Sequence, residues 1–314
     1  MKPNFLFVGL GKTGSSLMHR VIKRHPRIFL SSRRKELDFF KLDANYARGE
    51  AFYDEMFDGY DGEEWVGDIS PSYYGKALHT DRILEFYDGK PPKIILSVRH
   101  PLSQFYSRYM QVLKIGNYLG NDYIPQSFSE EFARGVYFRN PRERIKDLVE
   151  RLGGPENILL LVYEDDFAGN YLFEQKVYDF LGIESDKSYY DPKGDVSVNS
   201  GLVPRIIQPR PEDWELEISG NTYHIPANRA YFCSTKKRSH SYGPDDREYD
   251  TISRLGHRQA HWLTPPDAEL RDRIQEEHAR PIREHLESTF GVDLSSWDNV
   301  HLNDYEVVLP SHIN

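Results

Sequence analysis

The sequence predicts an α/β protein: a three-layer fold with a central, mostly parallel five-stranded sheet and an inserted β-hairpin region. Three observations lead there. Short apolar runs alternate with helical patterns along the chain, the arrangement of a parallel sheet covered by helices. One of these runs, "KIILSV" at 93–98, is apolar without a solvent-facing alternation, as in a strand buried on both faces. The first run breaks into glycines, a lysine and hydroxyls before an amphipathic helix.

The elements follow in order. Residues 5–8 form the first strand, and 15–23 a helix whose Leu17, Met18, Val21 and Ile22 share one face. Further strands fall at 28–30, 65–67, 93–98 and 157–164, the last after a Gly153-Gly154-Pro155 turn. Helices are expected from Leu102 to Leu113, at 141–152, and at 172–181 with Gly182 as the C-cap. The stretch "WELEISGNTYHIP" reads as a hairpin around Ser219-Gly220-Asn221, "RAYFCST" as a further strand, and 267–290 as helix. The expected division is one domain over 1–295, with an insertion at 203–250, followed by a tail at 296–314.

Composition limits the function. A chain of 314 residues, 39% hydrophobic and 28% charged, is an ordinary globular protein, and its formal net charge of −9 argues against nucleic acid or another polyanion as partner. A single cysteine, Cys233, excludes an intramolecular disulfide framework and a cysteine-rich zinc site, and favours a reducing compartment. No run approaches the roughly 18 apolar residues of a membrane helix. The N-terminus, "MKPNFLFVGLGKTG", lacks the form of a signal peptide, so a cytoplasmic location without a membrane span is expected.

Three places carry chemistry. The first is the loop "GLGKTGSS": Gly11, Lys12, Thr13, Gly14, Ser15 and Ser16 put backbone N–H groups, an ammonium and hydroxyls at a helix start, where an anion is favoured. A Walker A loop reads G-x-x-x-x-G-K-[ST]. Here Leu6, inside the strand, takes the place of the first glycine, and the loop proper begins at Gly9. The second is "SVRHPLSQFYSRY", where Arg99 leaves the end of a buried strand at the ligand-binding edge of an open sheet, and Ser107 follows eight residues later within reach of the same anion. The third is "SSRRKELDFF", again after a strand, in which Glu36 sits among Arg33, Arg34 and Lys35, an arrangement that suits a general base or an ion pair. Alone, each has a plain structural explanation: a solvated lysine on a glycine turn, a surface arginine, an ion pair.

Taken in order, "GLGKTGSS", "RHPRIFLSSRRKELDFFKLDANYARG", "DISPSYY", "SVRHPLSQFYSRY" and "VYEDD" with "YDFLG" resemble the sulfotransferases that use 3'-phosphoadenosine 5'-phosphosulfate (PAPS), nearest to the heparan sulfate sulfotransferase-like carbohydrate branch. The resemblance covers 4–184 and returns weakly at 255–286. It implies a P-loop-like fold and a definite site. The first loop, Gly11 to Ser16, would hold the 5'-phosphosulfate, with Lys12 on the leaving phosphate oxygen; Arg99 and Ser107 would hold the 3'-phosphate. Glu36, before Phe39 and Phe40, would be the general base. One departure stands out: the family's basic closing loop is replaced by "LGHRQAHWLTPP", which leaves Arg258 to reach a phosphate. A rival loop, "STKKRSH" with Lys236, Lys237 and Arg238, reads better as a solvated basic turn.

The resemblance therefore implies in-line transfer of a sulfuryl group to a hydroxyl or amine of a carbohydrate, glycolipid or small metabolite, with no metal required. If Glu36 is not the base, His257, His261 and His100 come next. Trp214, Tyr223 and Tyr231 are expected to pack the hairpin, the alternative being a platform for a sugar. Two other readings stay open: an atypical P-loop kinase or NTPase, and a nucleotide-binding protein of the same fold without catalysis.

Overall fold

The computed structural model describes residues 2–115, 128–135, 141–167, 172–185, 205–207, 212–218, 221–225, 229–234, 251–256 and 268–300. The chain forms two compact units. The first comprises Met1–Gln104, Asn140–Val198 and Ile274–Val300, and the second Phe105–Arg139, Asn199–Arg273 and His301–Asn314.

The first unit is built on a five-stranded sheet of β1 (Phe5–Phe7), β2 (Ile28–Leu30), β3 (Trp65–Ile69), β4 (Lys93–Val98) and β5 (Ile158–Val162), in the order β2-β3-β1-β4-β5. Every pair is parallel. Alternate residues feed two cores. Leu6, Ile94, Leu96, Ile158 and Leu160 point to one face, and Phe5, Phe7, Ile95 and Leu161 to the other, which is why these runs lack polar alternation. The chain runs from β1 to one side for β2 and β3, then to the other for β4 and β5. The C-terminal end of β1 is thus a switch point, where open α/β sheets bind ligands.

The helix after β1, Ser15–Ile22, buries Met18, Val21 and Ile22 against this sheet, as its sequence spacing predicts. The fifth strand is shorter than expected, because Tyr163–Asp166 turns at once into a helix whose Asp166 carboxylate accepts the Val162 N–H at 2.6 Å. Helices at Gly49–Glu55 and Ala77–Phe86 were not expected from the sequence. Gly182, at φ 72°, ends the helix Leu172–Leu181 as expected. Trp297, placed by sequence in the tail, is 2% exposed, and its Nε1 donates to Glu164 at 3.1 Å.

In the second unit, β7 (Trp214–Ile218) and β8 (Asn221–Ile225) form the expected antiparallel hairpin after β6 (Arg205–Ile207). β9 (Arg229–Ser234) pairs antiparallel with both β6 and β10 (Thr251–Gly256), which makes a three-stranded sheet whose last strand lies beyond the expected insertion at 203–250. The helix Pro101–Ile115 carries Ser107, which is half-buried. Of the three aromatic residues expected to pack the hairpin, Trp214 is half-buried, while the side chains of Tyr223 and Tyr231 fall outside the described residues.

Candidate functional site

The loop after β1 is held by its carbonyl groups. Leu10 O accepts from Thr13 Oγ1 at 2.5 Å, Gly11 O from Gln104 Nε2 at 3.0 Å, Lys12 O from an Arg99 guanidinium nitrogen at 3.1 Å, and Thr13 O from Ser97 Oγ at 2.8 Å. Gly14 O then accepts Leu17 N and Met18 N in the first helical turn. Five successive carbonyls face protein donors. Lys12 (φ 73°) and Gly14 (φ 91°) take left-handed backbone, which turns successive N–H groups to one concave side. Gly14 is the helix N-cap and supplies no side-chain cap, and the N–H groups of Ser15 and Ser16, at the very start of the helix, have no intrahelical acceptor. Such a cradle fits the oxygen atoms of a phosphate or sulfate group.

Two glycines are required by space. A Cβ at Gly9 would lie 2.3 Å from Ser97 N, so only glycine lets the loop pass over β4. At Gly14 it would lie 2.4 Å from the Phe167 ring, in addition to the positive φ. Gly11 has open space around it and is not required on these grounds.

Arg99 stands at the end of β4 beside this loop. Besides Lys12 O, it donates to Ser103 Oγ at 2.7 Å, lies 4.0 Å from Glu164, and covers the Tyr163 ring at 4.0 Å. Glu164 is raised above the ordinary carboxylate range by burial, against the pull of Arg99. The guanidinium in this conformation clamps the first loop, a role the sequence did not suggest. His100, third in line as a base, is 2% exposed. Its Nδ1 accepts Leu102 N–H, its Nε2 lies 2.9 Å from Gln275 Oε1, and burial pulls its pKa down to about 4. It is a neutral core histidine. Arg258, His257, His261 and the 236–238 basic turn lie outside the described residues.

The loop after β2 brings Glu36 to the same edge. Of the three neighbouring cations, Lys35 alone meets it, with Nζ 3.1 Å from Glu36 Oε1. Arg33 pairs with Asp58, and Arg34 approaches Asp38 at 3.9 Å. Lys35 Nζ also lies 3.0 Å from Ser15 Oγ and 3.0 Å from Ser16 Oγ. One ammonium therefore joins the first loop to the carboxylate. Phe39 and Phe40 are fully buried in an aromatic cluster with Tyr53, Tyr73 and Phe86, so they anchor the loop and leave Glu36 half-exposed. Among the described residues only three non-glycine residues have positive φ, and two of them, Lys12 and Asp38, lie in these two loops.

The sulfotransferase domain, as a protein family, matches residues 2–193, more than half of the chain. The chain belongs to the sulfotransferase domain family. The matched stretch includes both loops, Arg99 and Ser107, but not Arg258. The crystal structure of a sulfotransferase from Alicyclobacillus acidocaldarius superposes over 95% of this chain and 100% of its own, with a TM-score of 0.58 and 19% identity, a likeness of fold. Among curated proteins, the membrane-associated sulfotransferase kil1 of Dictyostelium discoideum is 29% identical over 110 residues, 34% of this chain and 22% of that protein. The heparan sulfate glucosamine 3-O-sulfotransferase 5 of Mus musculus is 27% identical over 112 residues, 36% of this chain and 31% of that protein. The chain thus matches about a fifth to a third of these relatives' length. Among the described residues, no helix is long and apolar enough to cross a membrane, and no cluster of His, Cys, Asp and Glu could hold a metal ion.

Within this sulfotransferase domain, several residues that build the site were missed from sequence. Ser97 is a polar residue inside an otherwise apolar strand, and that was the available signal. Lys35 is not set apart in the sequence from Arg33 and Arg34, two cations beside it. Gln104 had no signal at all, since a glutamine on a helix is usually solvated.

Proposed function

We propose that this sulfotransferase domain moves the sulfuryl group of PAPS to a hydroxyl or amine of a carbohydrate, glycolipid or small-molecule acceptor. The observation that carries the reading is the bridge of Lys35 between Ser15, Ser16 and Glu36. An anion seated on the loop from Gly11 to Ser16 is then one side chain away from a half-exposed carboxylate, the spacing that in-line transfer between a donor and an acceptor needs.

PAPS supplies an activated sulfuryl group and leaves as adenosine 3',5'-bisphosphate. Lys12 and the loop N–H groups stabilise the charge that grows on the departing oxygen, and Glu36 takes the acceptor proton. Lys35 lies between them and stabilises charge on the group in transfer. Arg99 and Ser107, with Arg258, are the candidates for the 3'-phosphate end. A formal net charge of −9 disfavours a polyanionic glycan, so a neutral or cationic acceptor is expected.

A screen with labelled PAPS against monosaccharides, glycolipids and small alcohols, phenols and amines tests the reading. Label on an acceptor, with turnover retained in EDTA, supports it. Turnover of ATP that depends on Mg²⁺ would replace it with a kinase or NTPase, and binding of adenosine 3',5'-bisphosphate without transfer to any acceptor would leave a non-catalytic protein.

A further inference from the structure

We infer that Asp68, a buried carboxylate on β3, is a positioning residue that fixes Glu36 through the hydroxyls of Ser70 and Tyr73. The inference rests on the reading of Glu36 as the base in sulfuryl transfer.

Asp68 is 0% exposed. Its Oδ1 accepts Ser70 Oγ at 2.6 Å, and its Oδ2 accepts Tyr73 OH at 2.5 Å and Tyr53 OH at 2.8 Å. An ionised carboxylate can only accept, so all three hydroxyl protons must point at it. The lone pairs of Ser70 and Tyr73 then face away, toward the loop that carries Glu36. Ser70 Oγ accepts Leu37 N at 3.0 Å and Asp38 N at 3.2 Å, and Tyr73 OH accepts Phe39 N at 3.0 Å. Three successive amides, beginning with the residue after Glu36, are tied to one negative charge through two hydroxyls.

The rest of the loop agrees with this. Asp38 holds a φ of 54°, which a non-glycine residue keeps only when its surroundings impose it. Its carboxylate accepts Ser72 Oγ. Leu37, Phe39 and Phe40 are buried, whereas the Glu36 side chain is 42% exposed, so the bonded amides are what define where that side chain starts. Tyr53 differs in one respect from Tyr73. Its hydroxyl donates to the same Asp68 oxygen, but its contact with the loop is a ring stacked on Phe39 at 4.2 Å, which a phenylalanine keeps.

Charge, and not shape, is the point of the arrangement. An asparagine would present an N–H to one side, and the hydroxyl there would have to accept it and turn its own proton toward a loop amide, donor against donor.

The test compares Asp68→Asn, Ser70→Ala, Tyr73→Phe and Tyr53→Phe, with PAPS as donor, monosaccharides and water as acceptor probes, and adenosine 3',5'-bisphosphate as binding probe. Asp68→Asn, Ser70→Ala and Tyr73→Phe are expected to lower kcat at least tenfold while the PAPS KM and the bisphosphate Kd stay within twofold. Tyr53→Phe should keep kcat within twofold although it removes a hydrogen bond from the same carboxylate. Amide exchange of Leu37, Asp38 and Phe39 should quicken at least tenfold in the first three variants and not in Tyr53→Phe. If Tyr53→Phe and Tyr73→Phe lose turnover equally, or if kcat and nucleotide affinity fall together, Asp68 is merely structural and the inference is overturned. Should Asp68→Asn fail to fold, the two tyrosine variants still decide. A wild-type protein that binds the bisphosphate but turns over no PAPS defeats the transfer reading, and amide exchange then decides by itself whether Asp68 fixes the loop.

Discussion

The two loops that meet at the sheet edge are held in opposite ways. In the loop after β1, neighbouring side chains donate to the carbonyls of Gly11, Lys12 and Thr13, and the N–H side of the backbone is turned to the concave face. In the loop after β2, Ser70 and Tyr73 accept the N–H groups of Leu37, Asp38 and Phe39. The first arrangement makes a positive cradle and the second removes positive partial charge from around a carboxylate. On the proposed reading an anion has one backbone to sit on, and the three amides that follow Glu36 do not compete for it. Strand ends bring both loops together, but the partners behind them give each its electrical sense.

Exchanging the charge on one loop at a time tests this contrast. The largest effect is expected from Glu36→Gln, which should lower turnover by about two to four orders of magnitude while adenosine 3',5'-bisphosphate affinity stays nearly constant in calorimetry. Retained turnover would move proton removal elsewhere and break the division of roles. Lys12→Ala should reduce turnover by about two to three orders of magnitude and weaken the bisphosphate as well, because the cradle serves both binding and rate. An effect on neither would end the anion reading of the first loop.

Asp68 gives a prediction in pH. Burial first, and then Asp38, raise its pKa from 3.8 to about 6, against the lowering by Ser70, Tyr73 and Tyr53 hydroxyls; Tyr87 is the other titratable group coupled to it. A folded pKa above the unfolded one means that stability is fully present below pH 3.8 and is lost as pH rises through about 6. Relative to Asp68→Asn, which has no such titration, the wild type should lose about 3 kcal/mol of unfolding free energy across that window in urea titrations. No change with pH would mean that Asp68 does not ionise there. The smallest effect is expected from Gln104→Ala, which frees Gly11 O from its donor and should weaken the bisphosphate by about tenfold or less, leaving proton removal by Glu36 untouched.

Much of this was legible in the chain. The five strands were found at nearly their observed places because a strand buried on both faces leaves an unbroken apolar run. Gly11-Lys12-Thr13 and the hydroxyls after it marked the turn between the first strand and its helix, though alone they were equally a solvated lysine on a glycine turn. The helices at Gly49–Glu55 and Ala77–Phe86 were not found, because neither carries a clean apolar stripe: in the second, His79 and Thr80 are buried beside Ile83. β6 and β10 were missed because strands of a small antiparallel sheet depend on partners distant in sequence.

By itself, then, the sequence determined the sheet, the loops at its C-terminal edge and the kinds of group they carry, because local patterning and strand length decide these. Only the tertiary structure decided which of Arg33, Arg34 and Lys35 meets Glu36, since three adjacent cations of equal charge are separated only by the partners that Asp58, Asp38 and the Ser15–Ser16 pair offer. It also decided the direction in which each loop's peptide groups face. That direction depends on hydrogen bonds from Ser97, Arg99 and Gln104 to one loop and from the other to Ser70 and Tyr73, between residues tens of positions apart, and such distances leave no period in a sequence to read.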